Sequence, residues 1–199
     1  QGRGMKKIVF GTLMRETVVL GPEDRADLVA SAVHRAGYPA RVLSPDLARR
    51  SPGRTVGALA IMLWPPGTEP AIEAEHFADG DGALHAWWGR DSGEVGPYVA
   101  ADAGPCLACV SAQRRVVEDG HDDTIAAWVA ATVALQVRGL ARIRKTEFVG
   151  ISFLWSGRIA FTDTAGWDRR DHCAVPGCRD YRDSSITASR EEPYLDTFA

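Results

Sequence analysis

The chain has 199 residues, of which 45% are hydrophobic, and a formal net charge of -3. This length supports one medium-sized domain with its own core, and the acidic balance argues against a general nucleic-acid binder. The sequence has no uninterrupted apolar run as long as a membrane span. A local basic cluster is interpreted as the solvated C-terminal end of a helix, where cations complement the dipole; it consists of Arg138, Arg142, Arg144 and Lys145.

Three segments are predicted along the chain. Residues 1–16 are interpreted as a tag remnant, Gln1-Gly2-Arg3-Gly4 ahead of Met5, followed by a short lead-in. Residues 17–181 are expected to form a single domain. Residues 182–199 are polar and charged, and we expect an ordered arm there only if it docks on another surface.

The first half of the domain alternates strand-like and helix-like segments. The strands are short apolar runs stopped by glycine or proline, and the first helix has its apolar residues on one face. The predicted elements are strands at 17–20, 41–43, 56–64 and 83–88 and helices at 25–36 and around 72–77. Strands and helices at such intervals are typical of a parallel α/β sheet.

The second half has a different pattern. A long helix is predicted from Asp123 to Leu140; it is apolar over much of its circumference, which indicates burial against the domain or against a partner subunit. Residues 147–155 and 158–164 then predict a β-hairpin with the two-residue loop Ser156-Gly157.

The four cysteines, the only ones in the chain, form two pairs that suit one tetrahedral metal ion. Cys106 and Cys109 have the Cys-x-x-Cys spacing of a zinc knuckle, and Cys173 and Cys178 would complete a closed four-thiolate shell. Turns at Gly104-Pro105 and Pro176-Gly177 would shape the two knuckles. The pattern therefore predicts a structural zinc site.

Other interpretations of the cysteines stay open at this point. They could form two disulfides or be four unrelated buried thiols. Because no secretory signal is present, a reducing, cytoplasmic location is expected, and this disfavours disulfides. His172, beside Cys173, could replace one thiolate as a ligand.

Several aromatic residues are candidates for partner binding. Trp87 and Trp88 precede Gly89-Arg90, and tryptophan and arginine dominate binding hot spots. Trp128 lies on the long apolar helix and is a further candidate. The alternative for Trp87, Trp88 and Trp128 is ordinary core and rim packing.

The order of these parts resembles a known family. The stretch Gly93-Glu94-Val95-Gly96-Pro97-Tyr98-Val99, then Gly104-Pro105-Cys106-Leu107-Ala108-Cys109 and Gln113-Arg114-Arg115, is similar to the segment VGPLV, PCLRC and HR of the E1/ThiF-like proteins. These proteins are the partners of YcaO enzymes in the formation of thiazoles and oxazoles on peptides. The long helix, the hairpin and the final cysteine pair follow in the same order, so the resemblance covers 18–178.

The resemblance implies a truncated Rossmann-like E1/ThiF-type sheet with helices, a β-hairpin and a structural four-cysteine zinc site. Family members usually carry a winged-helix-like peptide-recognition element, for which the residues ahead of the first strand are too few. The final cysteines, four residues apart, are also more widely spaced than is common in the family.

Nucleotide binding is not expected. An adenylating enzyme needs a glycine-rich loop whose amides approach the phosphates of ATP, whereas Gly21-Pro22-Glu23-Asp24 has one glycine and two carboxylates. Asp46 is interpreted as the cap of the next helix instead of a ribose ligand. The histidines at 34, 76, 85 and 121 have no readable catalytic companion.

The resemblance therefore implies a non-catalytic accessory role in ribosomal peptide natural-product biosynthesis. The expected partners are a precursor (leader) peptide or a YcaO-type cyclodehydratase, with a possible homodimer through the helix that carries Trp128. Zinc is the expected cofactor, in a structural role. Two other classes stay open: an ATP-dependent adenylating enzyme acting on a peptide carboxylate, and a zinc-ribbon-like nucleic-acid binder.

Overall fold

The computed structural model describes residues 16–51, 53–78, 82–100, 103–113, 115, 119–143, 146–157, 161–175 and 178. The predicted tag remnant, the basic residues Arg144 and Lys145, the Pro176-Gly177 turn and the polar arm at 182–199 lie outside the described residues. The division into 1–16, 17–181 and 182–199 stays a prediction.

The helices and strands of the described residues largely match the predicted ones, with two additions. The strand Ser92–Val99 and the helix Leu107–Ser111 were not predicted as elements, whereas Pro45–Arg50 is the helix that Asp46 was expected to cap. In chain order the elements are β1 (Thr17–Leu20), α1 (Glu23–Arg35), β2 (Ala40–Leu43), α2 (Pro45–Arg50), β3 (Leu59–Met62), α3 (Pro70–Ala78), β4 (Ala83–Trp88), β5 (Ser92–Val99), α4 (Leu107–Ser111), α5 (Asp123–Ile143), β6 (Ile151–Ser156) and β7 (Phe161–Gly166).

All of these strands join one seven-stranded sheet in the order β2-β1-β3-β4-β5-β6-β7. The first four strands along the chain pair in parallel, as the alternation of strands and helices predicts. The remaining strands continue the sheet in antiparallel pairs: β5 pairs with β4, β6 with β5, and β7 with β6. The α/β class is thus confirmed as a mixed sheet with helices.

One face of the sheet is covered by α1 and α5. Alternate residues of the strands, such as Ile61 and Leu84, point to this face and pack against Val33 of α1 and Val129 of α5. Strand residues at i and i+2 share a face, so about every second side chain of a strand lies on this side of the sheet. The largest part of the hydrophobic core lies here.

Gly93 sets the distance between α5 and β5. A Cβ atom at this position would lie 2.6 Å from Ile125 Cγ2 and 2.9 Å from Val129 Cγ2, both of which belong to α5. Only a glycine therefore lets the helix pack directly on the strand. This contact gives a physical reason for the first glycine of the Gly93-Glu94-Val95-Gly96 stretch.

The opposite face of the sheet has two smaller hydrophobic clusters. One lies around β1 and β3 beneath the short helices and includes Met62, Trp64 and Ile72. The other contains Trp87 and Trp167, whose rings meet edge to face with centroids 6.4 Å apart, together with Val110 of α4. Val110 directly follows Cys109 in the chain, and Trp167 precedes Cys173. This second cluster therefore joins α4 to the residues that follow β7.

Only one face of the helix α5 is buried, although its sequence is apolar on most sides. One face is buried against α1, β4 and β5, whereas Leu135 on the other face is 63% exposed. By length and composition alone, Asp123–Arg142 is long and apolar enough to cross a membrane. In the structure, one face of this helix packs in the main hydrophobic core.

The last two strands form the predicted hairpin, with a longer connection than expected. Ser156 pairs with Phe161, so four residues join the strands and the prediction of a two-residue Ser156-Gly157 loop is wrong. Ser156 itself still belongs to β6. At the edge of the sheet, the N–H of Thr164 donates a hydrogen bond of 2.7 Å to the carboxylate of Asp163, its own neighbour in β7.

Candidate metal centre

The first cysteine pair is positioned by the start of α4. Cys106 is the N-terminal cap residue of this helix, and its carbonyl oxygen accepts hydrogen bonds from the N–H groups of Cys109 (2.9 Å) and Val110 (3.1 Å). Gly104, two residues earlier, has a φ of +65°, which favours glycine. The expected turn at Gly104-Pro105 therefore directs both thiols to one side of the helix start.

The second pair follows β7 on a segment of tight turns. Trp167 is buried and its N–H donates to the carbonyl of Gly150, which fixes the beginning of the segment. The Cys173 N–H donates a hydrogen bond of 3.2 Å to Arg170 O, and the Cys178 N–H donates one of 3.2 Å to Val175 O. The segment returns to α4 in this way.

The four sulfur atoms lie within 4.8 Å of one another. Cys106 Sγ is 3.6 Å from Cys173 Sγ, and Cys109 Sγ is 3.7 Å from Cys178 Sγ. A tetrahedral zinc ion with Zn–S bonds of about 2.3 Å places its sulfur ligands about 3.8 Å apart. The described sulfur atoms fit this geometry.

The same distances decide against the disulfide interpretation in this structure. A disulfide needs sulfur atoms about 2.05 Å apart, and all four cysteines are free thiols here. His172 is exposed and does not belong to the cluster of possible metal ligands among the described residues, which consists of the four thiols. The donor set is therefore four sulfurs, a soft set that suits zinc.

Backbone amides point at both of the buried sulfurs. Arg170 N–H donates to Cys109 Sγ at 3.2 Å, and Cys106 N–H donates to Cys178 Sγ at 3.4 Å. Amide donors of this kind stabilise negative charge on a thiolate and hold the ligand in place. Two of the buried ligand atoms are thus oriented by the chain itself.

The pKa values show why a cation suits this cluster. Burial raises the pKa of Cys109, and it raises the pKa of Cys178 to about 12. A hydrogen bond from the Val175 amide lowers the pKa of Cys173 to about 7. Four thiolates this close together repel one another, and a divalent cation among them removes that penalty and favours their deprotonation.

The loop predicted to have lost nucleotide binding lies between β1 and α1. A Cβ atom at Gly21 would meet Leu63 Cβ at 2.8 Å, so the Leu63 side chain lies directly against the loop. Glu23 and Asp24 occupy the first turn of α1. Leu63 follows β3, so an apolar side chain packs at the switch point of the parallel strands, where α/β proteins usually bind ligands.

The prediction that Asp46 caps the next helix is wrong. The N-cap of α2 is Ser44, whose hydroxyl oxygen accepts a hydrogen bond of 3.3 Å from Leu47 N–H. Asp46 lies in the first helical turn and pairs with Arg49 at 2.6 Å. Since Pro45 occupies the first helical position, where proline is favoured, the cap falls two residues earlier than predicted.

Two of the histidines, His76 and His85, are buried near Glu73. The Glu73 carboxylate accepts hydrogen bonds from Trp64 Nε1 at 2.9 Å and from Gly67 N at 2.8 Å, so it holds the turn after β3. His85 Nδ1 is 2.9 Å from the Trp64 carbonyl. Burial lowers the pKa of His85, and the Glu73 carboxylate offsets only part of this effect.

The predicted partner-binding residues occupy different environments. Trp88 is fully buried and Trp87 is 5% exposed, so core packing describes both positions and argues against a role as surface anchors. Arg90 is exposed. Trp128 is half-buried and packs edge to face on Trp155, with ring centroids 5.4 Å apart. Partner binding by these residues stays a prediction.

Two side chains that support the metal centre, Gln113 and Trp167, have no signal in the sequence that predicts this role. Gln113 joins the end of α4 to the segment that carries the second cysteine pair. Trp167 Nε1 donates to Ser152 Oγ at 2.9 Å, and the Arg115 guanidinium lies 4.5 Å from the centroid of the Trp167 ring. Both residues act through contacts between distant parts of the chain, for which the sequence has no local signal.

The fold is shared with a heterocyclase and with microcin synthetase proteins of known structure. The heterocyclase TruD matches with a TM-score of 0.61 and 16% identity, over 92% of this chain and 30% of that chain. The E. coli microcin synthetase McbBCD complex matches with a TM-score of 0.58 and 7% identity, over 83% of this chain and 70% of that chain. The shared feature is the fold.

A third match is the structure of E. coli MccB with ATP, with a TM-score of 0.60 and 10% identity, over 84% of this chain and 68% of that chain. This chain spans less than a third of the length of TruD and of another heterocyclase, solved with its substrate and cofactor. No protein-family model and no curated protein matches the sequence.

Proposed function

We propose that this chain is a non-catalytic accessory protein in the biosynthesis of ribosomally made, post-translationally modified peptides. It docks a precursor peptide, a YcaO-type cyclodehydratase, or both, in the cytoplasm. Its framework is a truncated Rossmann-like E1/ThiF-type sheet. One structural zinc ion, bound by Cys106, Cys109, Cys173 and Cys178, holds the segment after β7 to α4.

The observation that carries this proposal is the fold shared with the McbBCD complex. The match extends over 70% of a chain in that complex, and a related structure of the complex has pro-MccB17 bound. A synthetase built from several proteins needs members that bind the peptide or position the enzyme without performing chemistry. The proposed docking role is of this kind.

The metal centre supports a structural role for zinc. A shell of four thiolates leaves no coordination position for water or substrate, so its chemistry is limited to stability. Zinc would act by tying two segments about 70 positions apart in sequence to each other, since Cys109 and Cys178 are separated by 69 positions. Residues of the four-sulfur site would therefore not take part in a reaction.

The nucleotide loop supports the absence of adenylation. Adenylating enzymes surround the triphosphate with backbone amides and positive charge at a helix N-terminus. Here Leu63 lies against Gly21, and the first turn of α1 presents two carboxylates. Both features oppose the approach of a polyanion.

The alternative function is an ATP-dependent, E1-like adenylating enzyme that acts on a peptide carboxylate. The similarity of the fold to MccB, which was solved with ATP, favours this candidate. In that case the loop after β1 would have to move away from Leu63 when the nucleotide binds.

One titration separates the two functions. The purified protein, with its zinc content measured by mass spectrometry, is titrated with magnesium ATP in a calorimeter, with E. coli MccB as the positive control. A docking protein has about one zinc per chain and gives no binding heat. Micromolar binding of ATP would overturn the docking role and favour the adenylating enzyme.

A further experiment tests docking directly. A tagged form of this chain is co-expressed with a YcaO-type cyclodehydratase and the precursor peptide of that enzyme, and the complex is purified. We expect stoichiometric recovery of at least one of the two. Recovery of neither, with zinc present and the chain folded, would contradict docking.

A further inference from the structure

The amide of Gln113 connects two backbone segments at the metal centre. Gln113 follows α4, and its Nε2 group donates to the Cys109 carbonyl at 3.2 Å and to the Asp168 carbonyl at 2.6 Å. Its Oε1 atom accepts from Asp168 N–H at 3.1 Å. Both donors and the acceptor of this side chain are therefore used. They connect the backbone of α4 to the backbone of the segment after β7.

The hydrogen bonds continue from Asp168 to the cysteine ligands. Two residues further along, Arg170 N–H donates to Cys109 Sγ, and the Arg170 carbonyl accepts from Cys173 N–H, both at 3.2 Å. Arg170 thus contacts one cysteine of each pair. Its position depends on the path that the chain takes from Asp168.

The chain becomes exposed directly after Trp167. Trp167 is buried, but the residues from Asp168 to His172 are exposed. Hydrogen bonds contribute much of what orients exposed backbone of this kind. The two bonds between Gln113 and the Asp168 backbone consequently help to set the direction in which the chain leaves Trp167.

We propose that Gln113 is a positioning residue of the four-thiolate zinc site, an inference that rests on the zinc site of the proposed function. By holding Asp168 against α4, it aims the Arg170 amide at Cys109 and places Cys173 near Cys106 before the metal binds. The four sulfurs are then partly assembled in the metal-free protein, and zinc is retained for longer.

Chain entropy gives the reason for such an arrangement. The fold already fixes Trp167, so binding a metal through Cys173 has to order the exposed residues between these two positions, which costs conformational entropy. Once Asp168 is held, only the few residues between it and Cys173 remain to be ordered. Partners of metal ligands typically change metal affinity by about 10-fold to 100-fold.

The test replaces the Gln113 amide with an apolar side chain of similar length, Gln113→Met. Zinc release from the purified zinc-loaded protein to excess chelator is followed with a colorimetric indicator, well below the melting temperature. We expect release from the variant to be about 10-fold faster than from the unchanged protein. Gln136→Met is the matched control, because Gln136 lies on α5 and accepts from Thr146 instead; its release rate stays unchanged.

Three results are distinguishable. Faster release from Gln113→Met alone supports the positioning role. Release at the unchanged rate, with one zinc per chain in every variant, overturns it and leaves the zinc site intact. A protein without zinc even before mutation overturns both this inference and the zinc site of the proposed function.

A second measurement separates positioning from general stability. The decrease in melting temperature that Gln113→Met causes is measured in the zinc-loaded form and in the metal-free form. A purely structural side chain would stabilise the two forms equally. We expect Gln113→Met to lower the melting temperature more in the zinc-loaded form. An equal decrease in the two forms would assign Gln113 to the fold and contradict the proposal.

Discussion

The four cysteines have different surroundings, although a zinc ion would use them as equivalent ligands. Cys109 is fully buried and Cys178 is 7% exposed, whereas Cys106 and Cys173 are half-buried. Each of the two buried sulfurs also accepts a hydrogen bond from a backbone amide. Loss of a buried ligand therefore removes a packed and hydrogen-bonded sulfur in addition to a metal bond.

The first prediction concerns Cys178→Ser. We expect the zinc content to fall from about one ion per chain to nearly none, because three thiolates no longer close the tetrahedral shell. The melting temperature should fall by about 5 °C or more, since zinc binding contributes folding free energy. Mass spectrometry of the metal and thermal unfolding measure the two effects.

The matched control for this prediction is Ala108→Ser, which adds a hydroxyl group at an exposed position between the first two cysteines. Its zinc content and melting temperature should stay unchanged. Full zinc occupancy in Cys178→Ser would contradict the four-thiolate site.

The second prediction concerns the pH dependence of stability and His85. Burial lowers the pKa of His85 in the folded protein, so the unfolded chain, with a pKa near 6.5, takes up a proton first as the pH falls. Stability is therefore lost below about pH 6.5, by up to about 1.4 kcal/mol per pH unit. His85→Gln cannot be charged and should lose less free energy of unfolding between pH 7 and pH 5.

Denaturant unfolding at each pH measures this difference, with His34→Gln on the exposed side of α1 as the control. Comparing variants at the same pH cancels the effect of acid on zinc binding. Equal pH dependence in His85→Gln and the unchanged protein would show that His85 does not limit stability in acid.

At the scale of elements, α2 shows how a single hydroxyl defines a helix start. The third prediction is that Ser44→Ala lowers the free energy of unfolding by about 1 kcal/mol, because Leu47 N–H loses its capping acceptor. Asp46→Ala removes only an exposed pair with Arg49 and should cost less than about 0.5 kcal/mol. Chemical denaturation measures the free energy of unfolding of both variants. A larger loss in Asp46→Ala than in Ser44→Ala would indicate that Asp46 is the capping residue.

Elements with uniform, strong patterns could be predicted from the sequence. The apolar runs of β1 and β4 and the one-sided pattern of α1 were located to within about two residues, because burial on both faces or on one face leaves a clear periodicity. β5 was missed because Gly93, Gly96 and Pro97 interrupt its pattern. Gly93 is required by its contact with α5 and Gly96 by its contact with β6, which no local pattern reveals.

At the scale of the whole molecule, the cysteine cluster could be predicted and its support could not. The chain has only four cysteines, and their spacing indicates one tetrahedral site before any fold is known. Gln113 and Trp167 contribute through neighbours 55 and 15 positions away, and either residue could occur at any surface or core position. Long-range hydrogen bonds of this kind become visible only in the folded chain.

The fourth prediction concerns association through α5. Its outer face exposes Leu135, and we expect this face to make the homodimer or partner contact predicted for the helix that carries Trp128. Leu135→Arg should therefore reduce the mass measured by light scattering to that of a monomer, at an unchanged melting temperature. Leu47→Arg, at a leucine that is 40% exposed on α2, is the control.

A monomeric mass for the unchanged protein, together with equal partner recovery from both variants, would remove α5 from the contact surface. A dimer that survives Leu135→Arg would point to another face. Either result leaves the fold and the metal centre as described.

The hydrogen bond inside β7 limits how this protein can associate. Because the Asp163 carboxylate occupies the Thr164 amide, an incoming strand would find a negative charge and a missing donor at the middle of this edge. This arrangement disfavours edge-to-edge pairing between copies of the chain, which is the route to amyloid-like fibres. Among the described residues, the outer edge of the sheet is therefore protected by a side chain of its own strand.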